Sequence, residues 1–221
     1  MMIGPEAYYE IDLKGRSQQE ILEEIYSLKQ EIHSLQEYLE EHYGEPTNMF
    51  PTPLTRLSCY REYLERAIQA YEDAGGTYTL TEDEQKSRDF DQALEDVQKL
   101  VFTIGGYFSG SETRTCTVSD EKVTMEADSG WFQIRSKSSN RLFENGYNIT
   151  KDDFIAGLRE IHIGEWKKEY NDPDTLDGIE WELKIEYDGH RKPVEISGIN
   201  AYPYNFKELL RLLEMDERNW E

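Results

Sequence analysis

Three carboxylates and an amine stand close together late in the chain, as Pro173-Asp174, Asp177 and then Glu182-Leu183-Lys184. Asp174 or Asp177 together with Glu182 could hold a magnesium ion, because hard divalent cations take oxygen ligands. Lys184 lies two residues from Glu182 and so on the same side of a strand. From there it could orient a water or stabilise charge developing on the attacked group. The chemistry would be metal-dependent hydrolysis. Three features weigh against it. The Asp174-to-Glu182 interval is short for two separate strands. The polar face of a hairpin needs charged residues in any case. A chain this acidic also lacks a basic surface to hold a polyanionic substrate.

The Asp…Glu-x-Lys order resembles the signature of metal-dependent nucleases, and that activity is the alternative reading. Other chemistry is scarcer. The stretch from Gly105-Gly106 to Gly110-Ser111 lacks the Lys-Ser/Thr pair of a phosphate loop and opens no helix, so its glycines read as a bend or bulge. His33, His42, His162 and His190 form no H-x-x-x-H pair. Glu160, His162 and Glu165 are near in sequence but point to different helix faces, and His190 falls in a turn. Cys59 and Cys116 have no neighbouring His and read as structural thiols. No cofactor or metal is implied.

The elements that would carry these residues begin with helices. Ser17-Gln18-Gln19-Glu20 is a capping box. Behind it Ile21, Ile25, Leu28, Ile32, Leu35, Leu39 and His42 alternate spacings of four and three, the stripe of a helix lying along a partner. Gly44-Glu45-Pro46 and Pro51-Thr52-Pro53 forbid continuation. A second stripe, Leu57, Tyr60, Leu64, Ala67 and Tyr71, stops at Gly75-Gly76. The two predict an antiparallel hairpin. A second copy of the chain is the other candidate partner for the first stripe, which would make a homodimer. A third helix opens with the box Thr81 to Glu84 and carries Phe90, Leu94, Val97 and Val101.

From Phe102 the period becomes two. Thr113 to Val118 and Lys122 to Ala127 alternate around a turn, and Trp131, Phe132 and Ile134 would extend that sheet. Thr150 to Asp153 starts a helix with Phe154, Leu158, Ile161 and Trp166 on its apolar side. Trp181, Leu183, Ile185 and Tyr187 alternate with charges, Asp188-Gly189 turns the chain, and Val194 and Ile196 return after Pro193. A box-like start at Asn205 to Glu208 opens a last helix with Leu209, Leu210 and Leu213. Hairpin-then-helix thus occurs twice, at about 102–168 and 179–215, without a residue-level repeat. The expected fold is α+β: residues 1–100 form a helical hairpin plus third helix, and residues 101–221 an antiparallel sheet with two helices on one face.

The chain of 221 residues has 46 acidic against 24 basic side chains, a net charge of -22. An aromatic content of 12% is too high for a disordered acidic tract. The charge argues against direct binding to nucleic acid or to an anionic membrane. No apolar run approaches the roughly 20 residues that cross a bilayer, and no signal peptide is readable, so a reduced cytoplasmic setting is expected. The excess is heavier early: residues 1–100 hold 22 acids and 9 bases, and the rest 24 and 15. Glu20, Glu23, Glu37, Glu40 and Glu41 lie off the first stripe and face outward. Carboxylates four residues apart stand about 6 Å apart along a helix axis, of the order of neighbouring phosphates. An acidic rod can therefore present itself to a protein that grips nucleic acid. Tyr202 and Tyr204 beside Pro203 make a second candidate partner-binding surface, or else a staple under the last helix.

The run from Asp177 to Leu183, with Gly198 to Pro203 downstream, resembles small uncharacterised domains of Gram-positive gut bacteria and their mobile elements, over the last third of the chain. The resemblance brings no activity with it. Acidic proteins of that setting include anti-CRISPR and anti-restriction inhibitors, a link of charge and size. The expectation is a non-enzymatic interaction protein that covers a basic, nucleic-acid-binding surface of a partner such as a defence nuclease.

Overall fold

A computed structural model describes residues 2–106, 110–129, 149–172 and 178–215. The chain divides into two units, Met1–Leu80 and Thr81–Glu221.

In the first unit a four-residue turn, α1 (Pro5–Tyr8), runs on as a π-helical turn (Tyr9–Leu13). Two long helices follow, α2 (Gln18–Glu41) and α3 (Pro53–Asp73). The box expected at Ser17 is present: Ser17 N–H donates to Glu20 Oε2 at 2.8 Å, and Glu20 N–H to Ser17 Oγ. That hydrogen bonding holds the Glu20 carboxyl below its usual range. Thr52 caps α3, with Pro53 at its first position. Gly75 takes φ +85°, and the Gly76 N–H returns to Tyr71 O, closing α3 as its glycines require. Gln18 reaches Ala74 O, and Arg56 pairs with Glu31 at 3.8 Å, so α2 and α3 are antiparallel. Ile21, Ile25 and Leu28 of the first stripe bury against Tyr63, Ala67 and Ala70 of α3. That part of the stripe is therefore covered within one chain, while Ile32 and Leu39 farther along are half-buried.

The opening residues join this core, which the periodicity did not announce. Tyr8 stacks on Tyr63 with centroids 4.3 Å apart and donates its hydroxyl to Glu24 at 2.7 Å. Burial, then that carboxylate, pushes the Tyr8 phenol far up. Tyr63 Oη accepts from Ile3 N–H at 2.9 Å and donates to Ile3 O at 2.7 Å.

The second unit opens with α4 (Glu82–Ala93), whose Thr81/Glu84 capping box is formed. The helix is shorter than its stripe implied. Val97 and Val101 belong to β1 (Val97–Gly106), where Leu100, Phe102 and Ile104 are the buried positions. Phe90, Leu94, Val97 and Val101 satisfy a helical spacing, but the i, i+2 burial of a β-branched segment wins over it. The third helix also packs in this unit: a Cβ on Gly164 would lie 2.9 Å from the Ser87 Cα.

Around β1 the sheet is completed by β2 (Gly110–Val118), β3 (Lys122–Ser129), β4 (Ile149–Thr150), β5 (Glu169–Asn171), β6 (Ile179–Tyr187) and β7 (Val194–Ile199). Their order is β4-β3-β2-β1-β6-β7-β5. Both expected hairpins, β2–β3 and β6–β7, are present, and β1 joins them by pairing with β2 and with β6. The sheet is mixed rather than wholly antiparallel, because the short β5 adds in parallel to β7. Trp131, Phe132 and Ile134 lie outside the described residues.

Register puts Leu100, Phe102, Ile104, Cys116, Leu183 and Ile185 on one face, where α5 (Lys151–Glu160) and α6 (Phe206–Leu212) pack. Phe206 meets Trp181 at 4.9 Å and Phe102 at 5.8 Å. A Cβ on Gly157 of α5 would touch Leu212 of α6. The box-like start at Asn205 is a misreading. Its buried side chain makes no cap, accepting instead from Trp166 Nε1 at 2.9 Å and donating to Ile161 O. Inside a low-dielectric core those two bonds satisfy groups that would otherwise be costly.

Candidate interaction surface

The five glutamates singled out on α2 do not form one continuous row. The 3.6-residue period puts Glu23, Glu37 and Glu41 on the line opposite the buried stripe, with Glu20 and Glu40 to its sides. Glu23 and Glu37 are separated by about 21 Å along the axis, with no acid on that line between them. At the N-terminal end the acids have partners. Glu20 is held by the cap, Gln19 Nε2 donates to Glu23 at 3.0 Å, and Arg16 pairs with Glu24 at 3.1 Å.

Toward the C-terminal end the acids lie closer together. Glu37, Glu40 and Glu41 crowd the last two turns, and no basic residue stands in the last turn. Glu37 and Glu41 are exposed and Glu40 is half-buried. His33 Nε2 lies 3.3 Å from Glu37. Glu40 and Glu41, in the last turn, meet the negative pole of the helix dipole, each at a cost of about 0.3–1 kcal/mol. The like-charged Glu37/Glu41 pair adds about 0.2–0.5 kcal/mol more. From residue 30 to residue 55 the chain holds five glutamates and no Lys or Arg.

The second candidate surface is displaced by the structure. Tyr204 is buried at 8% exposure and donates its hydroxyl to Glu165 at 3.0 Å. Tyr202 lies against Phe206 with centroids 4.9 Å apart, and burial raises its phenol. Tyr204 thus packs beneath α6, while Tyr202 is half-buried beside Phe206.

Of the hydrolytic candidates, Asp174 and Asp177 lie outside the described residues. Glu182 and Lys184 do share the outward face of β6. Glu182 is flanked in register by Thr103 and Ser197. Lys184 turns instead to Glu186 at 3.2 Å and Glu195 at 3.6 Å, and the Glu186 hydrogen bond raises its pKa. A lysine held this way is a stable cation in a cross-strand ion pair. Among the described residues no three His, Cys, Asp or Glu side chains are placed to hold a metal ion.

The remaining titratable residues have structural places. Burial pushes the Cys116 thiol up to about 12, and Cys59 packs at the margin of the first unit's core. His42 stacks on Tyr38 at 4.2 Å. His162 has φ 53° in the turn after α5, and His190 is exposed between β6 and β7.

Sequence reasoning passed over one exposed feature, the loop joining α2 to α3. Phe50 is 97% exposed there, beside Met49 and Leu54. The signal was available: a large apolar side chain caught between a helix stop and two prolines has no periodic element to bury it. No described helix is long and apolar enough to cross a membrane. Comparisons with protein-family models, with curated proteins and with solved structures found no match.

Proposed function

We propose that this chain is an acidic interaction module that covers a basic surface of a partner protein, plausible partners being cytoplasmic enzymes that bind nucleic acid, such as a defence nuclease. The observation that carries this reading is the end of α2. Glu40 and Glu41 stand where the helix dipole opposes them, and Glu37 faces the like charge of Glu41, with no base in the last turn. A stability cost retained at a surface is understandable if a cationic partner relieves it. The module acts by occupying the site and by electrostatic complementarity, with no chemical step of its own.

The test is affinity capture with the full chain at about 0.1 M and about 1 M salt, between which the Debye length falls from roughly 10 to 3 Å. A basic protein should be retained at the lower salt and released at the higher. The triple variant E37Q/E40Q/E41Q should retain it poorly at both. Salt-independent retention, or retention unchanged by the triple variant, would sink the reading.

A further inference from the structure

The connection between β6 and β7 carries Asp188-Gly189, an acid followed by the residue that shields its own backbone nitrogen least. The ladder between the two strands runs from Glu180↔Ile199 to Ile185↔Val194, so this pair stands outside it. Both residues are exposed. Asp188 is anchored from one side, its N–H donating to Asp96 O at 2.8 Å. Gly189 N–H donates to Asp188 Oδ1 at 2.7 Å, and to no backbone carbonyl among the described residues. With a carbon–oxygen bond of about 1.2 Å, Asp188 Cγ lies at most about 4 Å from the Gly189 nitrogen. That is close to the separation of about 3–3.5 Å at which bonded partners react. Gly189 takes φ +74°, and a Cβ built on it would meet nothing within 4 Å.

Other acids of the same unit are placed differently. Asp89 and Asp91 lie within α4, where the N–H of the following residue is bound into the helix. Asp96 is followed by Val97, whose N–H donates to Leu94 O and whose branched side chain crowds the approach. At Asp188 the carboxyl and the next nitrogen are already in contact, no ladder bond has to break, and no side chain stands in the way.

We propose that Asp188-Gly189 is a site of self-modification, where the side-chain carboxyl closes onto the Gly189 nitrogen and the aspartate isomerises to isoaspartate. The Gly189 nitrogen bonds to Asp188 Cγ and gives up its proton. The Cγ–OH bond of the protonated carboxyl breaks, and the hydroxyl leaves with that proton as water. The cyclic imide then takes up one water. Opening at Cγ restores aspartate. Opening at the main-chain carbonyl leaves isoaspartate, with the backbone routed through the former side chain and longer by one methylene. Nothing is oxidised or reduced, and the net charge of -22 is kept. The site lies in the sheet unit and is independent of the partner-binding reading, which rests on α2.

The experiment keeps the full folded chain at body temperature and mildly acidic pH for several weeks. It then follows the tryptic peptide Ile185–Arg191, in which aspartate and isoaspartate have equal mass but elute apart. Methyl transfer by an isoaspartyl methyltransferase identifies the new species, and the same peptide free in solution runs alongside. The expected result is a second peak that grows at least as fast in the folded chain as in the free peptide. The peptide Asp89–Lys99, which holds Asp89, Asp91 and Asp96, should stay single. D188E, whose longer side chain would close a larger ring, should lose the second peak. D188N forms the same imide by releasing ammonia and should yield isoaspartate faster. Both changes are exposed, so circular dichroism should show the variants folded. A single peak in the folded chain while the free peptide isomerises overturns the proposal, because the fold would then protect the turn. So does a D188N chain that stays intact, or equal isomerisation in Asp89–Lys99.

Discussion

The two units solve the problem of an acidic sequence differently. The sheet unit hides its apolar material almost completely: Phe102, Phe154, Phe206 and Leu183 are at most 1% exposed, and only Ile199 of its described large apolar residues is well exposed. On its outward face Lys184 pairs with Glu186 and Glu195. The helical unit closes its core with tyrosine hydroxyls that tie side chains to backbone, and leaves Ile11, Tyr26, Met49, Phe50 and Leu54 outside. Both units carry surface ion pairs, as Arg16–Glu24 shows in the helical one, so the difference between them lies in the apolar side chains left exposed.

The largest effect that would sharpen this contrast is Phe206→Ala. Phe206 sits between Trp181, Phe102 and Trp166, so its loss should destabilise the sheet unit by about 3–5 kcal/mol. Urea denaturation followed by tryptophan fluorescence reads this. A loss below about 1 kcal/mol would mean that the aromatic cluster is not the core it resembles. Tyr63→Phe tests the helical unit in its own terms. Removing the hydroxyl leaves Ile3 N–H and O without their partner, at a cost of about 1–2 kcal/mol. Amide hydrogen exchange should quicken at Ile3 and leave β1 unchanged; equal quickening in both places would break the comparison. The smallest effect has the opposite sign. Glu41→Lys places a cation at the negative end of α2 and should stabilise the helical unit by about 0.3–1 kcal/mol while weakening partner capture. Thermal melts and capture measured on the same preparation would show whether stability and binding trade against each other there.

Much of this was legible in the residues. Heptad stripes, capping boxes at Ser17 and Thr81, and two hairpins with alternating burial are local signals, and local physics decides them. The misreadings occurred where distant contacts outvoted local pattern. Val97 and Val101 fit a helix until pairing with β6 claims them. Asn205 looks like a cap until Trp166 and Ile161 take its side chain. The parallel β5 is three residues long, and its only reason to be a strand is the edge of β7. The opening segment is held by Tyr63, 60 positions away from Ile3. At the candidate surface the count of acids could be read, but not which side chains would be set against each of them.

The place of β1 in the middle of the sheet has a consequence for how the chain is made. Its pairing with β6 joins positions 73 to 90 residues apart, from Gly106↔Ile179 to Val97↔Tyr187. All residues of the helical unit have been synthesised once Leu80 is added, but β1 lacks its second neighbour until Tyr187 exists. At about 5–20 residues per second, translation takes roughly 3–14 s to run from the end of β2 at Val118 to Tyr187. Throughout that time Leu100, Phe102 and Ile104 sit on an apolar strand with one side unpaired, an aggregation-prone stage in the making of this protein.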